Sequence, residues 1–568
     1  MRLCLLALSI LSCTLLVAQQ RFDIVIDEIM ADPSPQIGLP GNEWIEIKNC
    51  SPYPINLQNW RIGDANSLSG PLPNYTLQAD SFLVICGTSA LPAMSAFGAA
   101  VAISSFPSLD NEGDVIFLQT SGGMTMHAIR FTSDWYRNSL KKEGGWSLEM
   151  IDPKNPCAAS INWQASIHPA GGTPGSANSI NGSINDESPP KITGAYTLDD
   201  KTIILEFDEP LDSASAAQLP LYQMNGEAIF TEVVVLRPLF ASVQLKTLSP
   251  LLPARIYTLT VANLKDCRQN EIAANNSTRI GLPSDPAPGE WIINEILFNP
   301  HAGAYDYVEC LNTSNRIFDA SKLYIANRNS SGAVSSIKAL SSVPKYVFPG
   351  DYIVLTENAG SLGSHYSMQV PGNVFTVPGL PSFPDDSGTV ILLNLQGIIT
   401  DETRYNANWH FKLIANPEGV SLERIDPDGR SSDPANWHSA GSTAGYGTPT
   451  SKNSQFKLLP AVPASFSVTP GTFSPDNDGL DDIASIQYKL SEPGYMATIS
   501  IFDAGGRSIR RLVRNQLLAM EGYWNWDGLD EKGQQLPIGV YIILAEVFNL
   551  HGNHQQFRMA LVLARRLR

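Results

Sequence analysis

Apolar side chains recur along this chain at every second position or in short unbroken runs, rather than at the three-to-four spacing of an amphipathic helix. In Glu43-Trp44-Ile45-Glu46-Ile47, and again in Asp306-Tyr307-Val308-Glu309-Cys310, apolar residues alternate with acidic ones over part of the run. That alternation predicts half-buried strands with one face on a core. Val115-Ile116-Phe117-Leu118 and Val390-Ile391-Leu392-Leu393 are continuous apolar runs after a glycine-containing turn, which predicts strands buried on both faces. Turns rich in Pro, Gly, Asn and Asp separate the short segments, and no window carries a sustained helical stripe with caps. The expected fold class is all-β, built as sandwiches or barrels.

The blocks repeat. Ile24-Val25-Ile26-Asp27-Glu28-Ile29-Met30 aligns with Trp291-Ile292-Ile293-Asn294-Glu295-Ile296-Leu297, and the Trp44 block with the Tyr307 block. Ser147-Leu148-Glu149 aligns with Ser421-Leu422-Glu423, Asn162-Trp163 with Asn436-Trp437, and Gly172-Thr173-Pro174 with Gly447-Thr448-Pro449. The order is the same in both stretches, so one module of roughly 160 residues occurs twice.

A length of 568 residues accommodates about four domains at roughly 150 residues each. With 55 acidic against 38 basic residues the net charge is −17. Such a chain is a poor general partner for nucleic acid or an anionic membrane, because nothing offsets phosphate repulsion. Met1-Arg2, the apolar run Leu3 to Val17 and the small residue Ala18 compose a signal peptide over residues 1–19. A lipobox at Cys13 is disfavoured, because the apolar run continues past it. No other stretch reaches the roughly 18 apolar residues of a transmembrane segment. Removing the leader leaves Cys50, Cys86, Cys157, Cys267 and Cys310. An odd count implies a free thiol or an intermolecular bond, and the preferred reading is of small buried hydrophobes.

The repeated blocks, with Leu57-Gln58-Asn59-Trp60-Arg61-Ile62 and the closing Ile151-Asp152-Pro153 and Ile425-Asp426-Pro427, resemble the lamin tail domain, an immunoglobulin-like β-sandwich. Copy two lacks the tryptophan in Ala320-Ser321-Lys322-Leu323-Tyr324-Ile325. Between the copies, Phe207-Asp208-Glu209-Pro210-Leu211, Tyr257-Thr258-Leu259-Thr260-Val261 and Asp266-Cys267-Arg268-Gln269-Asn270 are similar to bacterial Ig-like domains of surface-layer and adhesin-type proteins. Gln269 stands where that pattern has glycine. The C-terminal stretch, with Ile501-Phe502-Asp503-Ala504-Gly505-Gly506-Arg507, Trp524-Asn525-Trp526 and Gly539-Val540-Tyr541, resembles the Ig-like module of the flagellar hook-capping protein. Its opening, Phe473-Ser474-Pro475-Asp476-Asn477-Asp478-Gly479, is similar to gliding-motility-associated C-terminal domains of the type IX secretion system. The resemblances imply tandem Ig-like β-sandwiches: a lamin-tail-like domain at 20–180, an Ig-like domain at 187–282, a second lamin-tail-like domain at 288–456 and a C-terminal sorting or anchoring module at 466–568. From Phe466 onward there are 10 basic and 11 acidic residues, so nearly all of the net charge lies before that module.

Candidate chemistry is sparse. Asp476, Asn477, Asp478, Asp481 and Asp482 bracket Gly479 and supply the oxygen ligands that Ca²⁺ prefers, although the distant glutamate of an EF-hand is missing. The bland alternative is an acidic turn that caps a strand through its own backbone. Glu28/Glu295 and Glu46/Glu309 invite a catalytic carboxylate pair, but their recurrence in both copies favours a structural hydrogen bond or salt bridge. Trp135 and Trp409 read as edge packing. The pattern places His551 and His554 in a hairpin turn, and no zinc, nucleophile-elbow or phosphate-loop motif accompanies any histidine or serine.

The expectation is therefore a non-enzymatic structural or adhesion protein, secreted or on the outer cell surface of a Bacteroidota-type bacterium. It would be exported by Sec and, by resemblance, by type IX secretion, whose machinery would be one partner and a surface protein or glycan another. The alternatives are an accessory module for a secreted hydrolase or nuclease, and a carbohydrate-binding protein using Trp135, Trp163, Trp409 and Trp437.

Overall fold

The computed structural model describes residues 19–226, 229–273, 276–457 and 463–565. The expected leader at 1–19 lies, apart from its last residue, outside the described residues. Among the described residues the regular structure is mostly strand, helices run to at most seven residues, and no helix is long and apolar enough to cross a membrane. The chain divides into two compact units. One runs to Leu251 and includes Ile256–Ile280; the other comprises Leu252–Arg255 and the chain from Gly281.

In the first unit, strands Trp163–Ala165, Leu148–Met150, Ile24–Met30, Trp44–Asn49, Phe82–Gly87 and Ala100–Ile103 lie side by side in that order. All pairs are antiparallel except the last. Strands Arg61–Gly63, Gly113–Gln119 and Thr125–Thr132 form a second sheet. Ile24, Ile45, Ile47 and Leu83 of the first sheet and Ile62, Ile116 and Leu118 of the second share one buried core with Trp60. A further sandwich follows, with a four-stranded sheet (Ile192–Thr197, Thr202–Phe207, Ser242–Thr247, Phe230–Val235) and a three-stranded one (Tyr222–Met224, Tyr257–Val261, Ser277–Ile280). In its turn after Tyr257–Val261, Gln269 adopts φ 71°, the left-handed conformation that glycine takes most readily, and Gln269 Nε2 donates to Asp212 Oδ2 at 3.0 Å.

The second unit repeats the first sheet strand for strand. Trp437–Ser439, Leu422–Arg424, Trp291–Leu297, Tyr307–Asn312, Tyr352–Thr356 and Val374–Thr376 follow one another in the same order, again with only the last pair parallel. Tyr324–Arg328, Ser387–Leu393 and Ile399–Asn406 make the other layer, extended by Val334–Ala339. The C-terminal sandwich pairs a three-stranded sheet with a five-stranded one. Its long hairpin Gly539–Phe548 and His554–Leu563 holds His551 at the turn, whereas His554, expected in the turn as well, opens the returning strand opposite Phe548.

Two sequence expectations change. Val390–Leu393 is buried on both faces, but in Val115–Leu118 only Ile116 and Leu118 are buried. Copy two has an extra apolar patch of Ala326, Ile391 and Leu393 under Tyr324 and Val334, supplied by its fourth strand. The cysteines are not all isolated hydrophobes either. Cys157 and Cys267 form a disulfide with Cα atoms 6.2 Å apart, while Cys86 and Cys310 are buried and Cys50 half-buried as free thiols. The bonded pair is separated by 110 residues in sequence, so only the docking of two sandwiches brings the sulfurs together.

Candidate functional site

The alternation Trp44-Ile45-Glu46-Ile47 predicts that Glu46 faces water, yet Glu46, Glu28 and Glu149 are each 0% exposed. They form one row across three neighbouring strands, Glu149 opposite Glu28 and Glu28 opposite Glu46. Copy two has the same row, Glu423, Glu295 and Glu309. A bulge creates this arrangement. The register shifts between Ile26 and Glu28, and between Ile293 and Glu295, so Asp27 and Asn294 are the extra residues that oppose no single partner. Beyond the bulge the facing of the strand is reset. Ile24, Ile26 and Ile29 pack into the main core, while Met30 lies with Trp44, Val84 and Cys86 in a smaller cluster on the other face.

What buries the glutamates is the segment after the last strand of each copy, held down by the Gly-Thr-Pro block. Thr173 donates its backbone N–H to Glu28 Oε1 (2.8 Å), and its hydroxyl lies 3.2 Å from Glu28 Oε2 and 3.0 Å from Glu149 Oε1. Ser147 Oγ donates to Glu28 Oε1 and Ser179 Oγ to Glu149 Oε2. In copy two Thr448 makes the corresponding contacts with Glu295 and Glu423 at 2.8–3.0 Å, Thr450 N–H donates to Glu309 Oε2, and Tyr307 adds a phenol donor to Glu295 at 2.6 Å. The approach is close enough to require glycine: a Cβ on Gly172 would sit 2.8 Å from Glu28 Oε1 and 2.9 Å from Leu39 Cδ1 and Ser147 Oγ.

A hydroxyl has one proton to give, so a threonine in contact with two carboxyl groups needs one of them protonated. The electrostatics agree. Burial, reinforced by the charge of Glu149, pushes Glu28 up to about 8, and burial also holds Glu46, Glu295 and Glu309 above the usual carboxylate range. Burial and the charge of Glu295 raise Glu423 to about 8. The repeated glutamates thus make hydrogen bonds to hydroxyls and backbone N–H groups rather than salt bridges. Closed over on every side, they latch the C-terminal segment of each copy to its sheet.

The bulge also leaves a backbone N–H to satisfy, and the copies do so differently. In copy one Ile26 N–H donates to His127 Nδ1 at 2.9 Å; this imidazole is fully buried, and desolvation lowers it to about 3. In copy two Ile293 N–H donates to Asp401 Oδ2 at 2.8 Å, and Arg424 pairs with that carboxylate at 3.1 Å while donating to Ile293 O. Met150 occupies the Arg424 position in copy one. Sequence reading missed His127 and Asp401, whose roles appear only when the aligned copies are superimposed on one sheet.

Of the calcium candidates, the structure brings the carboxylates of Asp476, Asp478 and Asp482 together, and Asp481 is not among the grouped carboxylates. Asp482 Oδ1 accepts from the N–H groups of Asp476 and Asn477, and Oδ2 from that of Gly479, while Asp481 offers its backbone carbonyl to Ser474. Asp476 and Asp478 are exposed. A second acidic group, Asp186, Glu209 and Asp266, is buried and was not singled out from sequence. Of the four tryptophans considered for sugar binding, Trp163 and Trp437 are 1% and 3% exposed and belong to the cores. Trp135 and Trp409 pack on them at ring separations of 6.2 and 6.3 Å. Trp409 lines a groove of about 490 Å³ with Phe411, His438, Glu492 and His551.

Residues 18–133 match the family model of the lamin tail domain, a match that stops short of Glu149 and Thr173. Solved structures similar to parts of the chain include the N-terminal part of the bacterial S-layer protein SbsC, at 15% identity over 29% of this chain and TM-score 0.17. The chain spans about 40% of that structure's length. A DUF4876 family protein from Bacteroides thetaiotaomicron is 13% identical over 33% of this chain and 78% of its own, with TM-score 0.18. FlgD from P. aeruginosa is 21% identical over 17% of this chain and 67% of its own, with TM-score 0.13. No curated protein matches the chain.

Proposed function

We propose that this is a non-enzymatic structural or adhesion protein of the outer bacterial cell surface, exported by Sec and then by type IX secretion, with the C-terminal sandwich as sorting or anchoring module. The observation that carries the reading is the Cys157–Cys267 disulfide. Such bonds persist in oxidising compartments and are reduced in the cytosol, and this one clasps two successive sandwiches of the first unit. In the second unit the sandwiches are joined without a covalent bond. Ser454 O accepts from Met520 N–H at 2.7 Å, Gln455 Nε2 donates to Leu518 O at 2.9 Å, and Ser442 Oγ donates to Leu517 O at 2.7 Å. Ser454 and Gln455 also bind Glu423, so the glutamate latch and the docking surface share residues. Both devices resist separation of neighbouring sandwiches, a property suited to a load-bearing or displaying chain.

The test is accessibility in the native cell. Protease added to intact cells should degrade the full-length protein as fast as it does in lysed cells. Protection until the outer membrane is permeabilised would sink the surface assignment. The Trp409 groove favours glycan as a second reading. A glycan array with the full chain should then show binding that Trp409→Ala abolishes, and an array without hits removes that reading.

A further inference from the structure

Asp186, Glu209 and Asp266 come from three separate places in the first unit. Asp186 lies in the segment leading into the Ig-like sandwich, Glu209 just past strand Thr202–Phe207, and Asp266 in the turn after Tyr257–Val261, next to the bonded Cys267. Their residues are 7%, 8% and 0% exposed, and one carboxylate oxygen from each lies within 4.8 Å of the other two.

The surrounding donors meet only part of the demand these groups make. Asp266 Oδ1 accepts from Arg268 N–H (2.7 Å) and Asn270 N–H (2.8 Å), and its Oδ2 accepts from Asn270 Nδ2 (2.8 Å). Asp186 Oδ1 accepts from Ser188 N–H at 3.2 Å. Asp186 Oδ2, by contrast, is buried with no hydrogen-bond partner. Lys191 and Arg268 act on Glu209 and Asp186 only as nearby charges. Concentrating three carboxyl groups in a buried pocket with an orphaned oxygen is unfavourable unless positive charge or protons enter.

We infer that Asp186, Glu209 and Asp266 bind a hard divalent cation, Ca²⁺, at the passage from the first sandwich to the second. An all-oxygen set without histidine or cysteine selects against softer metals. Calcium holds oxygens at about 2.3–2.6 Å in flexible geometry, so two ligands of one ion stand at most about twice that distance apart, which the observed spacing satisfies. The ion would join the entering segment to two loops of the Ig-like sandwich, beside the disulfide that already ties it to its neighbour. Protons shared among the three carboxyls are the competing way to relieve the repulsion.

The decisive experiment uses full-length protein stripped with chelator, titrated with CaCl₂ by calorimetry and followed by thermal unfolding. The wild type should bind and gain several degrees in Tm. Glu209→Gln, nearly isosteric, should weaken binding by tenfold or more and, in chelator, melt no lower than the wild type, because it removes one of the repelling groups. Asp186→Asn should lose the same response and serves as the second variant if the first does not fold. Asp478→Asn, in the separate loop at 476–482, should keep it. The inference is overturned if about 10 mM Ca²⁺, above the range for weak extracellular sites, leaves the wild-type Tm unchanged. Full calcium response in both Glu209→Gln and Asp186→Asn overturns it equally, as does loss of that response in Asp478→Asn alone.

Discussion

Asn294 Nδ2 donates to Glu309 Oε1 across 2.8 Å, whereas the same two positions of the first sandwich hold two carboxyl groups, Asp27 and Glu46. Asn294 Nδ2 also reaches Asn453 Oδ1, so a single bulge residue closes the network of copy two. In copy one Asp27 is 1% exposed, and both its oxygens and Glu46 Oε1 lack partners. Burial pushes Asp27 up to about 7, the result expected of a carboxyl that has no amide donor beside it.

Copying the second solution into the first should therefore stabilise it. Asp27→Asn restores a donor for Glu46, and the first unit should gain about 1–3 kcal/mol, the usual cost of a buried unsatisfied group. Asn294→Asp should cost a similar amount in the second unit. Hydrogen exchange at the amides of Ile26 and Ile293 reads the two units separately; unchanged protection in both variants would refute the account.

The buried Arg424–Asp401 pair makes a second comparison. Asp401→Ala leaves a guanidinium that is 3% exposed without its carboxylate and orphans the Ile293 N–H, so a loss of about 3–5 kcal/mol is expected. The double change Asp401→His with Arg424→Met recreates the His127 and Met150 arrangement and should recover more than half of that loss. A double-mutant cycle by denaturant unfolding checks this, and strict additivity would show that the pair does not act as a unit.

Stability should depend on pH with a definite sign. Glu28 and Glu423 rise to about 8, and Asp27 and Asp306 to about 7. Groups raised on folding stabilise fully below their unfolded values and lose that contribution as pH rises through the folded ones, at up to about 1.4 kcal/mol per pH unit each. The buried His127 and His410, lowered to about 3 and about 4, work oppositely, but only below their unfolded value near 6.5. Tm should therefore fall steadily between pH 6.5 and 8.5, and Glu28→Gln should flatten the slope. A profile that is level across that window contradicts the protonated latch.

Reducing the Cys157–Cys267 bond should loosen the first unit while sparing the second. The bond spans 110 residues, and closing a loop of about that length restricts the unfolded chain by roughly 4–5 kcal/mol in the chain-entropy treatment. Cys157→Ser/Cys267→Ser should lower the first transition in a melting curve and render it indifferent to reductant. Equal sensitivity to reductant in wild type and variant would argue against the bond.

The sequence by itself determined that the protein is all-β, that one sandwich occurs twice, and that Glu28, Glu46, Ser147, Glu149 and Thr173 recur with their counterparts. Those facts live in period-two patterning and in internal alignment, both local properties of the chain. Burial of the acidic row was not legible, because alternation reports which residues share a face and not what later covers it. The bulge at Asp27, one residue long, resets that alternation, and a segment more than 140 residues downstream in contact with Glu28 supplies the lid. For the same reason the pairing of Cys157 with Cys267, the exchange of His127 for Asp401 and the meeting of Asp186, Glu209 and Asp266 belong to the tertiary structure alone. Each depends on side chains far apart in sequence sharing one desolvated space, where a missing donor or an unpaired charge has consequences that water would otherwise erase.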